Sequence, residues 1–125
     1  MKQRITLLGA LLMLAVAATP HEAADLHFAL SKSAPEADTN LESPPEVRLW
    51  FTQAPQDNSM SIRLIDHAGE ALEMGEPKAD EEDDQVYSLT IEGTLDSGAY
   101  TVAWRAIGQD GHVVRGDFSF TVTQQ

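Results

Sequence analysis

Cysteine is absent from this chain of 125 residues. That excludes disulfide staples, thiolate zinc sites and iron–sulfur clusters, so any metal must be held by His, Asp, Glu or Met. Basic residues are few: 8 Lys and Arg face 20 Asp and Glu, and the formal net charge is −12. Such a surface repels phosphate backbones and anionic headgroups, which sets nucleic acid aside as a partner. Long uncharged runs are scarce too. The one that stands out, Ile5 to Ala18, follows Lys2 and Arg4 and leads into small residues. It is short for a bilayer span, and its layout is that of a secretory signal. Neither Gly-x-Ser-x-Gly nor a Gly-rich phosphate loop is present, so triad hydrolysis and nucleotide chemistry have no support. No segment carries a helical repeat of apolar residues.

Residues 1–18 are therefore expected to be cleaved on export to a periplasm, leaving a chain without membrane insertion. Their loss removes Lys2 and Arg4 and no acid, so the net charge of −12 becomes −14. Residues 19–26 are a polar leader without periodicity, and a single domain is expected over residues 27–125.

What the chain does contain is a series of short alternating segments. His27 to Leu30 reads as a first strand and Ser33 to Asp38 as the turn after it. Pro44 and Pro45 stop the chain before Val47–Phe51, where Val47, Leu49 and Phe51 share one face and Arg48 and Thr52 the other. Gln53 to Ser59 is a loop. Ser61 to Asp66 is a strand with Ile62 and Leu64 inward, and His67-Ala68-Gly69-Glu70 turns it towards Ala71–Met74. An acidic stretch from Glu76 to Gln85 reads as a solvated loop. Strands then follow over Val86–Ile91, Tyr100–Trp104 and Phe118–Val122, with Tyr100 and Trp104 directed into the core. About seven short strands separated by Gly, Pro and Asp predict an all-β, antiparallel Greek-key β-sandwich or barrel of immunoglobulin-like plan.

Of the four histidines His21, His27, His67 and His112, His112 stands out for a carboxylate two positions before it across a Gly-containing turn, Asp110. If the chain is extended through Gly111, Asp110 and His112 project to one side and can share an ion. Imidazole with carboxylate suits Cu(II) or Zn(II). His67 has turn composition around it, and His21 lies in the leader.

Three segments carry a family resemblance. His27-Phe28-Ala29-Leu30-Ser31-Lys32-Ser33-Ala34-Pro35 resembles the opening "AxLxxSxPA" pattern of the CopC/PcoC family of periplasmic copper-resistance proteins. Val47–Phe51 resembles that family's "vxLxF" strand after a Pro-rich turn, and Gly98–Val122 is similar to its "GxYxVxWRvxSxDGHxxxGxfxFxV" end. The resemblance covers residues 27–123. It implies a cupredoxin-like fold and a type-2 Cu(II) site built from His27, Asp110 and His112, in a protein that buffers, traffics or confers resistance to copper and is not an enzyme. It further implies a monomer whose partners are the copper ion and an inner-membrane copper transport protein of the CopD type.

Two departures bear on that site. Met60 and Met74 are the only methionines after residue 18 and are not clustered, which argues against the family's Met-rich Cu(I) loop. Leu26 precedes His27, so the small-residue rule places cleavage after Ala17 or Ala18 and separates the new amine from His27. Cleavage after Ala24 would instead expose Asp25-Leu26-His27, an X-X-His chelate. Two alternatives follow: a CopC-like interaction domain with weak or no copper binding, and a copper monooxygenase, which would need a free amine on His27.

Overall fold

The computed structural model describes residues 27–124. Eight strands make two four-stranded sheets: β1 (Leu30–Ala34), β2 (Asn40–Leu41), β3 (Glu46–Phe51), β4 (Ser61–Ile65), β5 (Lys78–Ala79), β6 (Val86–Thr90), β7 (Gly98–Ile107) and β8 (Val113–Val122). The first sheet runs β1-β3-β6-β5 and the second β2-β8-β7-β4. The chain crosses between sheets after β1, β2, β3, β4 and β6, which is the Greek-key wiring of an immunoglobulin-like sandwich. The cupredoxin-like all-β expectation therefore stands.

Alternation builds the core as the sequence predicts. Val47, Leu49 and Phe51 of β3 face Ile62 and Leu64 of β4 and Tyr100, Val102, Trp104 and Ala106 of β7, all of them buried. No charged or polar side chain is buried among the described residues. Phe28, Phe51 and Trp104 form an aromatic cluster near one end, with Phe28 stacked on Phe51 at 4.7 Å and Trp104 edge-on to Phe51 at 5.2 Å. At the other end the Tyr100 hydroxyl donates to the Asp96 carbonyl at 2.7 Å, a tyrosine corner that fixes the entry into β7.

Two local expectations change, and two short strands appear that the sequence does not predict. The first strand begins at Leu30 rather than His27 and continues through Ala34, because the Ala29 amide is taken by the Thr52 hydroxyl and pairing with β3 starts beyond it. Ala71–Met74 is no full strand; it keeps one bridge, Ile65 to Ala71. Asn40–Leu41 pairs with β8 in parallel, a two-residue contact too short to show as a pattern. The acidic stretch is a solvated loop, exposed over residues 81–85, with local anchors: Lys78–Ala79 pairs with β6, Arg48 bonds to Asp80, and the Asp80 and Asp83 carboxylates accept from the Glu82 and Gln85 amides. The leader and the export signal lie outside the described residues.

Candidate metal centre

β7 and β8 are ten residues each and pair without interruption from Gly98–Val122 to Ile107–Val113. The connection between them is tight. Gly108 N–H donates to the His112 carbonyl at 2.9 Å, and Gly111 N–H to the Gly108 carbonyl at 2.9 Å. Gly111 has φ 85°, the left-handed region that closes such a short hairpin and that a Cβ disfavours. So the chain is not extended through Gly111, and alternation is not what brings Asp110 and His112 together. The turn does: Asp110 Oδ1 accepts from the His112 amide at 3.0 Å, and Oδ2 lies 2.8 Å from His112 Nδ1.

This double contact sets the electrostatics. The His112 amide first, then the His112 ring, hold the Asp110 carboxyl below the ordinary carboxylate range, so it is an anion near neutral pH. An anionic carboxylate only accepts, hence Nδ1 of His112 is the donor. The neutral ring then carries its lone pair on Nε2, the orientation that carboxylate–histidine pairs impose on metal ligands. The His112 side chain is 81% exposed, so that nitrogen is open to an ion from solution.

The loop between β3 and β4 braces the turn from the side. Gln56 N–H donates to the Ile107 carbonyl at 2.8 Å and its Nε2 to the Gly108 carbonyl at 3.1 Å. Gln109 Nε2 donates to the Ala54 carbonyl at 3.2 Å, and the Ser59 hydroxyl accepts from the Ile107 amide at 3.1 Å. None of these residues stands out in the sequence. Polar side chains in a loop carry no period, and only the Pro55 and Asn58 breakers marked the segment.

His27 arrives from the opposite end of the sequence. The Thr52 hydroxyl donates to the His27 carbonyl at 3.0 Å and accepts from the Ala29 amide at 3.0 Å, while Thr52 N–H donates to the Ala29 carbonyl at 2.8 Å. Phe28, between them, is 6% exposed and sits in the aromatic cluster. Gly108 marks the convergence: a Cβ there would meet Asp110 Oδ1 at 3.1 Å and Phe28 Cβ at 3.4 Å. The segment carrying His27 is thus fastened beside the Asp110–His112 turn. The side chains do not gather further, since no three His, Asp or Glu groups lie within joint reach of one ion among the described residues. His67 is at the far end of β7, where a Cβ on Gly98 would meet its Nδ1 at 3.1 Å. His21 lies outside the described residues.

The donor chemistry fits Cu(II): imidazole nitrogen and carboxylate oxygen, with no thiolate in the chain. Comparison with known proteins agrees with this reading of the fold. The chain is 29% identical to CopC from Methylosinus trichosporium OB3b, with a TM-score of 0.70, covering 77% of this chain and 93% of that one. PcoC from Escherichia coli, a methionine-rich copper resistance protein, is 26% identical with a TM-score of 0.65, covering 78% of this chain and 99% of that one. Copper resistance protein C of Escherichia coli is 26% identical over 102 residues, 77% of this chain and 81% of its own length. Residues 30–123 match the CopC domain, and the chain belongs to that family.

Proposed function

We propose that the protein binds Cu(II) through His112, Asp110 and His27 and acts in the periplasm as a copper buffer or carrier in copper resistance, without catalysing a reaction. The observation that carries this reading is the 2.8 Å contact between the Asp110 carboxylate and His112 Nδ1, which leaves Nε2 free at an exposed hairpin tip beside the tethered His27 segment. Asp110 orients the His112 ring in the metal-free turn and, on leaving Nδ1, supplies the anionic oxygen, while His112 and His27 supply the imidazole nitrogens. Cu(II) supplies the Lewis acidity that such hard and borderline donors satisfy. The acidic surface concentrates cations near the tip and speeds their capture. Residues 1–18 serve as the export signal and 19–26 as a leader to a monomeric domain from residue 27, which passes copper to an inner-membrane transport protein of the CopD type. Among the described residues no helix is long and apolar enough to cross a membrane.

The test is titration of the exported protein with Cu(II) against a competing chelator, followed by electron paramagnetic resonance. One equivalent with nitrogen hyperfine coupling is expected, weakened about 10–100-fold by Asp110→Asn and lost in His112→Ala. Absence of a Cu(II) complex in the wild type, or equal affinity in His112→Ala, overturns the proposal.

A further inference from the structure

The outer face of the second sheet carries charge of the wrong sign for this protein. Of the six Lys and Arg among the described residues, Arg63, Arg105 and Arg115 lie together there, on the adjacent strands β4, β7 and β8. Arg105 stands directly opposite Arg115, and Arg63 opposite Ala103, the outward neighbour of Arg105. Like charges across a strand pair repel, so the arrangement is unfavourable without an anion to hold it. Among the described residues no ion pair supplies one. Ion pairs among the described residues join Arg48 to Glu46 and Asp80, and His112 to Asp110; none involves these three arginines, although Asp117 is on the same face. The small side chain of Ala103 leaves room between its longer neighbours, and the concavity there, about 570 Å³, is lined by Arg63, Arg105, Arg115, Asp117 and Ser61.

The geometry points to a docking face for an acidic segment of a partner protein, held by Arg63, Arg105 and Arg115. Two features favour carboxylates on a protein over a small phosphate. Phosphate sites draw on free backbone N–H groups, whereas β7 is hydrogen-bonded on both sides, to β4 and to β8. The arginines also continue into an apolar strip: Ile107 pairs with Val113, which is 44% exposed, and Arg with apolar contact is the composition of protein interfaces. At 0.15 M ionic strength the screening length is about 8 Å, so an approaching segment meets the arginines rather than the remote acidic surface. Val113 follows His112 directly, so the docked segment lies against the metal turn. That consequence rests on the copper reading; the docking face does not.

The experiment uses the metal-free exported protein and a fluorescein-labelled peptide of six glutamates, read by anisotropy as salt is raised. Binding that weakens with salt is expected, reduced about tenfold in Arg105→Gln/Arg115→Gln and further when Arg63→Gln is added. The charge-matched control Lys32→Gln/Lys78→Gln should retain wild-type binding, and circular dichroism should show all variants folded. Equal loss in the lysine control overturns the proposal. So does inorganic phosphate binding at the same arginines as tightly as the peptide, which would make the face a small-oxyanion site. A wild-type dimer in sedimentation that the arginine changes dissolve also overturns it, making a second copy the occupant. Cu(II) titration of the same variants stays unchanged, so failure of peptide binding and failure of the copper reading are separate results.

Discussion

Replacing Thr52 by Val tests whether the His27 segment is held for copper. The two side chains are close in shape, so the change removes a hydroxyl from a half-buried position and little else. That hydroxyl makes two hydrogen bonds of 3.0 Å, accepting from Ala29 N–H and donating to the His27 carbonyl. Each is worth about 0.5–1.5 kcal/mol net, and the His27 end is exposed, so water replaces it cheaply. The expected loss is about 1–2 kcal/mol. For a domain of this size each kcal/mol shifts Tm by roughly 4–8 °C, easily read by calorimetry. Phe28 remains stacked on Phe51, so the segment loosens without leaving the core. Cu(II) affinity should fall about tenfold, the equivalent of about 1.4 kcal/mol. In a His27→Ala background the same change should still lower Tm but no longer move the affinity, since the coupling runs through one imidazole. The reasoning is refuted if Thr52→Val leaves affinity unchanged while Tm drops, or weakens copper equally with and without His27.

Other outcomes follow from single contacts. Gly116→Ala should destabilise the fold by about 1–3 kcal/mol, because its Cβ would meet the Trp104 ring at 2.6 Å, and Trp104→Phe should partly restore Tm. Gly111→Ala should cost about 1–2 kcal/mol at φ 85°, with Gly111→Asn milder, as differential calorimetry of the pair would show. Burial raises the Tyr100 phenol above its ordinary pKa of about 10, so the unfolded chain ionises first. Stability should therefore be full below pH 10 and decline as pH rises through the folded value, an effect that Tyr100→Phe abolishes in alkaline denaturant titrations. Asp110 is shifted the other way, so its hold on the turn should persist above the ordinary carboxylate range and release only as pH falls through its lowered value. The His112 amide resonance would report that midpoint; one at or above the range of a free Asp would contradict the contact.

The core was legible because it obeys a period of two: Val47, Leu49, Phe51, Ile62, Leu64, Tyr100 and Trp104 were all placed inward from alternation, and all are buried. The Asp110–His112 pair was legible from spacing, although for the wrong reason. Spacing alone brings the pair to one side only if Gly111 is extended, whereas a left-handed turn and an Asx-type bond do the joining. Thr52, Gln56, Ser59 and Gln109 were not legible. Their contacts run over 23 to 55 positions of sequence and end on backbone groups, which leave no trace in a neighbour's identity. The alternation puts Thr52 on the outer face of its strand, whereas it lies just beyond β3, half-buried, with its hydroxyl bonded to the His27–Ala29 segment. β2 escaped because two residues cannot display a period. The arginine face was invisible in a composition dominated by acid, and only the register Arg105–Arg115 collects it.

The acidic stretch next to β5 has a consequence for life at high concentration. β5 is the outer strand of the first sheet, and its free edge is where a strand of another molecule could add. It is only two residues long, and five consecutive carboxylates, Asp80 to Asp84, follow it. A second copy approaching edge to edge brings its own five negative charges with it, so the sheet is capped against polymerisation by charge rather than by a covering element. The same cap fails where those charges are removed. Replacing Asp80 to Asp84 by the matching amides should therefore favour sheet-edge assembly, read as a rise in light scattering with the fold retained.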